Sequence, residues 1–239
     1  MQRYFINQSQ IHDQTVKITD GDFHHIKNVM RKKVNDEVIV NTYDGHVYLC
    51  KITGFDPQEV VLEIIKAMDS SKNDFNLVLG LSLTKKDNFE MAIKKATELG
   101  VSGFIPIETD RSVVKIKDFQ KKKERFTLLA KESSEQSERT TLPKIYDLQT
   151  IESLDLENFD HLFVAYARKD KQALKSYLSK IKRDDYSLVL IGPEGGFTEK
   201  EIKTLVDKGF ETISLGNTIL RAETAAIYIT SIFRYMLGD

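Results

Sequence analysis

Short apolar runs alternate with segments of helical period through most of this chain. From residue 76 onward the alternation is regular. Asn76–Ser82 reads as a strand. Asn88–Leu99 reads as a helix, with Phe89, Ala92, Ile93, Ala96 and Leu99 on one face, and Gly100 follows it at the C-terminal cap position. Phe104–Ile107 is a strand, Phe119–Ser134 a long helix, His161–Ala165 a strand and Lys171–Ile181 a helix. Ser187–Ile191, Glu199–Lys208, Thr212–Leu215 and Ala222–Leu237 continue the order as strand, helix, strand and helix. Strands that alternate with helices predict an α/β domain with a mostly parallel sheet.

The first part of the chain has a different period. Glu37–Tyr43 and His46–Thr53 are strand-like runs separated by Asp44-Gly45, a hairpin signal. Glu59–Ala67 reads as a third strand and Asp22–Arg31 as a short helix. Residues 1–68 therefore form a small β-rich unit, and the polar run 68–74 is the expected linker. The predicted division is 1–70 and 71–239.

Two glycine turns stand out against this pattern. Ile191-Gly192-Pro193-Glu194-Gly195-Gly196-Phe197 follows one predicted strand. Leu215-Gly216-Asn217-Thr218-Ile219-Leu220-Arg221-Ala222-Glu223-Thr224-Ala225 follows another. Each precedes a helix. Two such loops at the strand ends of one parallel sheet form a crevice where ligands bind. Thr198-Glu199-Lys200-Glu201 is a capping box, with Phe197 and Ile202 as its hydrophobic staple. Neither loop is GxGxxG, and no GxxxxGK[ST] occurs, which disfavours a dinucleotide dehydrogenase and a P-loop nucleotidase.

Composition narrows the chemistry. Lys and Arg total 35 against 36 Asp and Glu, so the formal net charge is −1 and nothing global draws the chain to nucleic acid. Any basic surface has to be local. Cys50 is the one cysteine, which removes an intrachain disulfide and a thiolate zinc cluster. The five histidines (His12, His24, His25, His46 and His161) have no HExxH-type spacing, and no metal is expected. No apolar run approaches the roughly 20 residues of a membrane span. The composition predicts a soluble cytoplasmic protein.

Read together, several stretches resemble the bacterial 16S ribosomal RNA uracil-N3 methyltransferase family, a branch of the SPOUT (trefoil-knot) methyltransferases. They are His24–Arg31 with Val34-Asn35-Asp36, Lys94–Val101, Arg111–Lys115, Glu135–Arg139, Ile191–Phe197 and Leu215–Ala225. The resemblance covers the whole length. It implies a small N-terminal PUA-like β-barrel and a SPOUT-type, mostly parallel sheet with a C-terminal deep trefoil knot. It also implies a homodimer with the active site completed across the interface. The implied cofactor is S-adenosylmethionine, and the implied substrate is one uridine of the decoding region near the 3′ end of 16S rRNA. The near-neutral charge favours the assembled 30S subunit over free RNA as the form modified. There are departures. Lys86 and Glu138 stand where the family often has Gly, and Tyr166-Ala167-Arg168 where it frequently offers a carboxylate.

The resemblance also assigns residues. Ile191, Gly192, Gly195 and Gly196 would wall the cofactor pocket from one loop, and Leu215, Gly216, Leu220, Ala222 and Thr224 from the other. Ala165 and Tyr166 would add a third loop. Glycine lets backbone approach a ligand closely. Uracil N3 carries a proton, so its attack on the methyl needs a base or an environment that favours the anion. Arg221 and Glu223 open the last helix beside the pocket and are the catalytic candidates. Glu223 is equally suited to capping that helix against its dipole, so the base stays open. Arg3, Lys27, Arg31, Lys32, Lys33, Arg111 and Arg139 are candidates for contact with RNA phosphates. Three other readings remain at this level: ribose 2′-hydroxyl methylation, a non-catalytic RNA-binding factor with the same fold, and a generic mononucleotide-binding domain.

Overall fold

The computed structural model describes residues 1–70, 75–112, 114, 118–166 and 174–238. The chain divides into two compact units. One is 1–72 with 134–142, and the other is 73–133 with 143–239.

The first unit is built on β1 (Arg3–Ile6), β2 (Ile11–His12), β3 (Thr15–Thr19), α1 (Asp20–His24), β4 (Glu37–Thr42), β5 (Val47–Phe55) and β6 (Glu59–Met68). The strand order is β1-β4-β5-β6-β3-β2, antiparallel except where β1 runs parallel to β4. Inward positions alternate along the strands: Val38 and Val40, Cys50 and Ile52, and Val60 and Leu62 fill one core with Tyr4, Val16 and Ile18. Gly45 takes φ +96° in the β4–β5 turn, as the Asp-Gly pair requires. The predicted helix over 22–31 is shorter and less regular. After α1 the chain makes a π-helical turn over His25–Val29, and Arg31 lies at φ +51°. Only Ile26 in that turn is buried, so no continuous apolar face sustains an α-helix.

The second unit contains β7 (Asn76–Ser82), α2 (Lys86–Glu98), β8 (Gly103–Glu108), α3 (Phe119–Gln136, of which 134–136 belong to the first unit), β9 (Lys144–Ile145) and β10 (Gln149–Thr150). It continues with β11 (His161–Ala165), α4 (Leu174–Leu178), β12 (Tyr186–Ile191), α5 (Glu199–Asp207), β13 (Glu211–Ile213) and α6 (Ala222–Leu237). The sheet runs β10-β8-β7-β12-β11-β13, every pair is parallel, and β9 also pairs with β8. Both faces are covered. Leu77, Leu79 and Leu81 of β7 share a core with Phe89, Ile93 and Ala96 of α2 and with Ala226, Ile229 and Phe233 of α6. Val78, with Leu188 and Leu190 of β12, joins Phe197, Leu205 and Phe210 on the other face. Each fully buried Leu, Ile or Phe here contributes about 1.5–3 kcal/mol of transfer free energy. The expected strands and helices of this unit lie within a few residues of those observed. The two-residue strands β9 and β10 have too little sequence to show a period. The linker residues 71–74 and the start of the helix expected at 171 fall outside the described residues.

Candidate active site

Register alone brings the glycine loops together. Ala165, the last residue of β11, pairs with Ile191 of β12 on one side and Ile213 of β13 on the other. The three strands therefore end side by side. The Tyr166 amide then donates to the Ile213 carbonyl at 3.0 Å, which carries the third loop along the same edge. Ala165, Tyr166, Ile191 and Gly192 stand together at this edge. Leu215, Gly216 and Leu220 follow β13 and lead into α6, where Ala222 and the exposed Thr224 lie in the first turn.

The first loop is held from several sides. The Gly196 amide donates to the Pro193 carbonyl at 2.8 Å, with Gly196 at φ +66°. Behind it, the capping box of α5 is complete. Thr198 Oγ1 accepts from the Glu201 amide at 3.2 Å, and Glu201 Oε2 accepts from the Thr198 amide at 2.6 Å. Phe197 and Ile202 pack in one cluster, as a staple does. Glu201, though charged, is only 7% exposed, and its other oxygen accepts from the Asp110 amide at 2.8 Å. The next residue, Arg111, reaches Gly195: its Nη1 donates to the Gly195 carbonyl at 2.8 Å. A candidate phosphate contact is thus engaged with the glycine loop itself. The second loop has Gly216 at φ +120°, a conformation closed to other residues, and a Cβ there would project into open space.

Small and apolar walls, glycines at positive φ and open space at Gly196 and Gly216 fit a ligand held by backbone groups rather than by charged side chains. That is the donor set suited to an adenosyl group.

The catalytic candidates separate in character. Arg221 is the exposed N-cap residue of α6, with extended φ −67° and ψ 157°. Glu223 is only 8% exposed. No hydrogen bond joins its carboxylate to any group among the described residues, and the helix has no side-chain cap. Glu223 does stand in the first turn of α6, where a negative charge suits the helix dipole. It also lines a narrow cleft with Ile191, Ala222, Leu81, Ser82, Thr84, Asn88, Phe89 and Ala92. The β7 end of this cleft was not among the expected site residues. Its signal in the sequence was slight: Ser82, Thr84 and Asn88 are polar positions directly after an apolar strand.

The cations expected to meet RNA do not form one set. Lys27, Arg31, Lys32 and Lys33 cluster on and just after the π-helical turn, beside exposed Val29, Met30 and Val34. Lys27 Nζ lies 5.0 Å from the Phe23 ring centre, a cation–π contact. Arg3 is a correction. It is 7% exposed, and its Nη1 donates to Asn41 Oδ1 at 3.1 Å, so it is a structural residue of β1. Burial pulls its pKa down, while Glu138 opposes the shift. Arg139 lies in the 134–142 segment, and its carbonyl accepts from Asn41 Nδ2 at 3.0 Å. His25, left out of the chemistry, faces the Tyr4 hydroxyl through Nδ1 at 3.0 Å.

Known proteins show the family of this chain. Residues 71–234 match the RNA methyltransferase domain family. The chain belongs to the RNA methyltransferase family. Residues 18–65 of this methyltransferase match the RNA methyltransferase PUA domain. The ribosomal RNA small subunit methyltransferase E of Bacillus subtilis (strain 168) is 36% identical, over 98% of this chain and 96% of its own. The protein of the same name from Rickettsia conorii is 32% identical, over 94% and 91%. A crystal structure of a hypothetical protein superposes with TM-score 0.87 at 35% identity, covering 99% of this chain and 98% of that one. The methyltransferase E of Neisseria gonorrhoeae, solved bound to S-adenosyl methionine, superposes with TM-score 0.85 at 23% identity over 99% and 98%. At that identity the likeness is one of fold.

Proposed function

We propose that this methyltransferase transfers a methyl group from S-adenosylmethionine to N3 of one uridine in 16S rRNA. The target lies in the decoding region near the 3′ end and is modified in the assembled 30S subunit. The observation that carries the proposal is Glu223 in the first turn of α6, lining a narrow cleft with Ile191 at the end of β12. When bound, the cofactor supplies an electrophilic methyl on a sulfonium. Ile191, Gly192, Gly195, Gly196, Leu215, Gly216, Leu220, Ala222 and Thr224, with Ala165 and Tyr166, would hold it through backbone and apolar contacts. Glu223 would accept the N3 proton, and Arg221 would stabilise charge on the uracil oxygens. Lys27, Arg31, Lys32 and Lys33 would hold phosphates, and Arg139 is a further candidate. The target base has to leave its stack to reach an active site.

The same proposal includes the knot, the functional division at residues 70 and 71, a cytoplasmic homodimer and a site completed by the partner. The name of the relatives supports the substrate class. The balanced charge supports a structured particle over naked RNA.

The test uses purified protein, radiolabelled S-adenosylmethionine and 30S subunits from a strain lacking this gene. The RNA is digested and the labelled nucleoside identified. Label in 3-methyluridine at one site is expected, with free 16S rRNA a much poorer substrate. Label on ribose would move the target to a 2′-hydroxyl, and equal rates on both substrates would refute the 30S preference.

A further inference from the structure

Glu201 is a buried charge that the chemistry above does not use. Neutral donors meet both of its oxygens. Oε2 accepts from the Thr198 amide at 2.6 Å and from the Thr198 hydroxyl at 2.9 Å. Oε1 accepts from the Asp110 amide at 2.8 Å. Fixed hydrogen bonds of this kind offset the cost of burying a carboxylate, and the first turn of α5 adds its dipole. The capping box needs only Oε2. Oε1 is left to tie α5 to a turn 91 residues earlier in the chain. That turn, residues 109–112, follows β8. β8 and β12 both pair with β7 in the parallel sheet, so the segments that leave them meet across the end of β7. The turn is closed on itself: the Thr109 amide donates to Ser112 Oγ at 3.0 Å, and the Ser112 amide to the Thr109 carbonyl at 3.0 Å. Fixing its Asp110 amide therefore fixes the root of Arg111, whose Nη1 holds the Gly195 carbonyl at 2.8 Å.

The contacts form a circuit. It runs from Glu201 to Asp110, along the chain to Arg111, across to Gly195, and back through residues 196–198 to the capping box. The one turn inside the circuit that needs positive φ is Gly196, at +66°. We propose that Glu201 is a positioning residue for the cofactor: through Asp110 and Arg111 it holds the Gly195-Gly196 turn in its ligand-binding shape. The 109–112 turn thereby belongs to the cofactor site, although it follows a strand two places removed from the glycine turns of β12 and β13. The assignment rests on the functional reading above, which puts the cofactor at this loop. It adds a residue that touches neither cofactor nor RNA. Glutamine at 201 would keep the shape but replace one oxygen with NH2. That group would face either the Asp110 or the Thr198 amide, donor against donor. Thr198→Ala, by contrast, removes the hydroxyl that accepts from the Glu201 amide and leaves the carboxylate on both amides.

The experiment measures S-adenosylmethionine affinity by calorimetry and folding by thermal melting. It compares wild type, Glu201→Gln, Thr198→Ala, Arg111→Ala and the Glu201→Gln/Arg111→Ala double variant. Glu201→Gln is expected to weaken cofactor affinity about three- to tenfold. The KM for cofactor should rise by the same factor, with kcat at saturating cofactor within about twofold of wild type. Thr198→Ala should lower the melting temperature yet keep cofactor affinity within about twofold, so lost capping alone does not produce the effect. In the Arg111→Ala background, Glu201→Gln should cost less than about a further twofold, because the route it acts through is already cut. The coupling is reciprocal, which gives a reading on the unaltered protein. Saturating cofactor should slow hydrogen exchange at the Asp110 amide about tenfold or more in wild type, and much less in Arg111→Ala. The assignment is overturned by any of three results: the full affinity loss recurring in the Arg111→Ala background, an equal loss in Thr198→Ala, or unchanged exchange at Asp110. Each leaves the functional reading intact. If wild type binds no S-adenosylmethionine, the functional reading falls and this assignment falls with it.

Discussion

Arg111 shows how a single side chain can serve a loop at a distance in sequence. Its guanidinium holds the Gly195 carbonyl at 2.8 Å, and its aliphatic stem lies where a Gly195 Cβ would come within 3.3 Å of it. Glu201 fixes the start of this arm by binding the Asp110 amide at 2.8 Å. Replacing Arg111 with Ala should loosen the glycine turn without touching a ligand. A lost charge-assisted hydrogen bond of about 1.5–3 kcal/mol, partly screened at this exposed site, predicts cofactor affinity weaker by about three- to tenfold. Titration calorimetry on the variant would read it, and unchanged affinity would leave Arg111 no positioning role. Position 138 shows a different residue-scale effect. Glu138 sits at φ +57°, a backbone state that favours glycine. Here the carboxylate meets the Met1 ammonium at 3.1 Å, which holds the Glu138 carboxyl below its usual range.

Among the elements, β7 is the one whose sequence looks least like its environment. Gly80 sits in the middle of a buried strand, where glycine is weak in both propensity and packing. Its reason is lateral. A Cβ at this position would run into Leu190 Cδ2 of the neighbouring β12 and lie 2.8 Å from Ile107 Cδ1 of β8. The absent side chain is the space those two occupy. Gly80→Ala should therefore cost about 1–3 kcal/mol through overpacking, despite the better strand residue. Urea unfolding would show the midpoint falling with little change in slope. A variant as stable as the parent would mean the neighbours yield freely. In α5, by contrast, local sequence and tertiary role coincide. The capping box orders its own helix, and Glu201 in that box also binds the Asp110 amide.

On the scale of the whole molecule, the chain does not divide at one point. Residues 134–142 belong with the first unit although α3 begins in the second. Glu135 Oε1 accepts from the Phe5 amide at 3.0 Å, and the Arg139 carbonyl takes the Asn41 amide group at 3.0 Å. These contacts satisfy groups on β1 and β4, where Phe5 is 2% and Asn41 0% exposed. Glu135→Ala would leave the Phe5 amide without this partner, at a cost of about 1–3 kcal/mol. Amide hydrogen exchange at Phe5 should then quicken about tenfold or more. Exchange at the parent rate would show that this segment does not hold β1.

The α/β order of the second unit, the glycine turns and the capping box of α5 were all present in the sequence. Their signals are local: a period of two or 3.6, a glycine where φ turns positive, an oxygen-bearing residue three positions before a Glu. The π-helical turn at His25–Val29 escaped because one buried residue, Ile26, cannot set a period. The burial of Arg3 escaped because charge alone does not reveal a neighbour 38 residues away such as Asn41. The cleft residues Ser82, Thr84 and Asn88 escaped for the same reason. Strand order sets β7 beside β12, and the side-by-side pairing of distant segments is fixed by packing of the whole sheet. Sequence by itself determined which segments form strands, helices and tight turns, because those depend on residues within a few positions of one another. Only the tertiary structure decided that Glu223 shares a cleft with Ser82, Thr84 and Asn88, because such neighbourhoods are properties of residues remote along the chain.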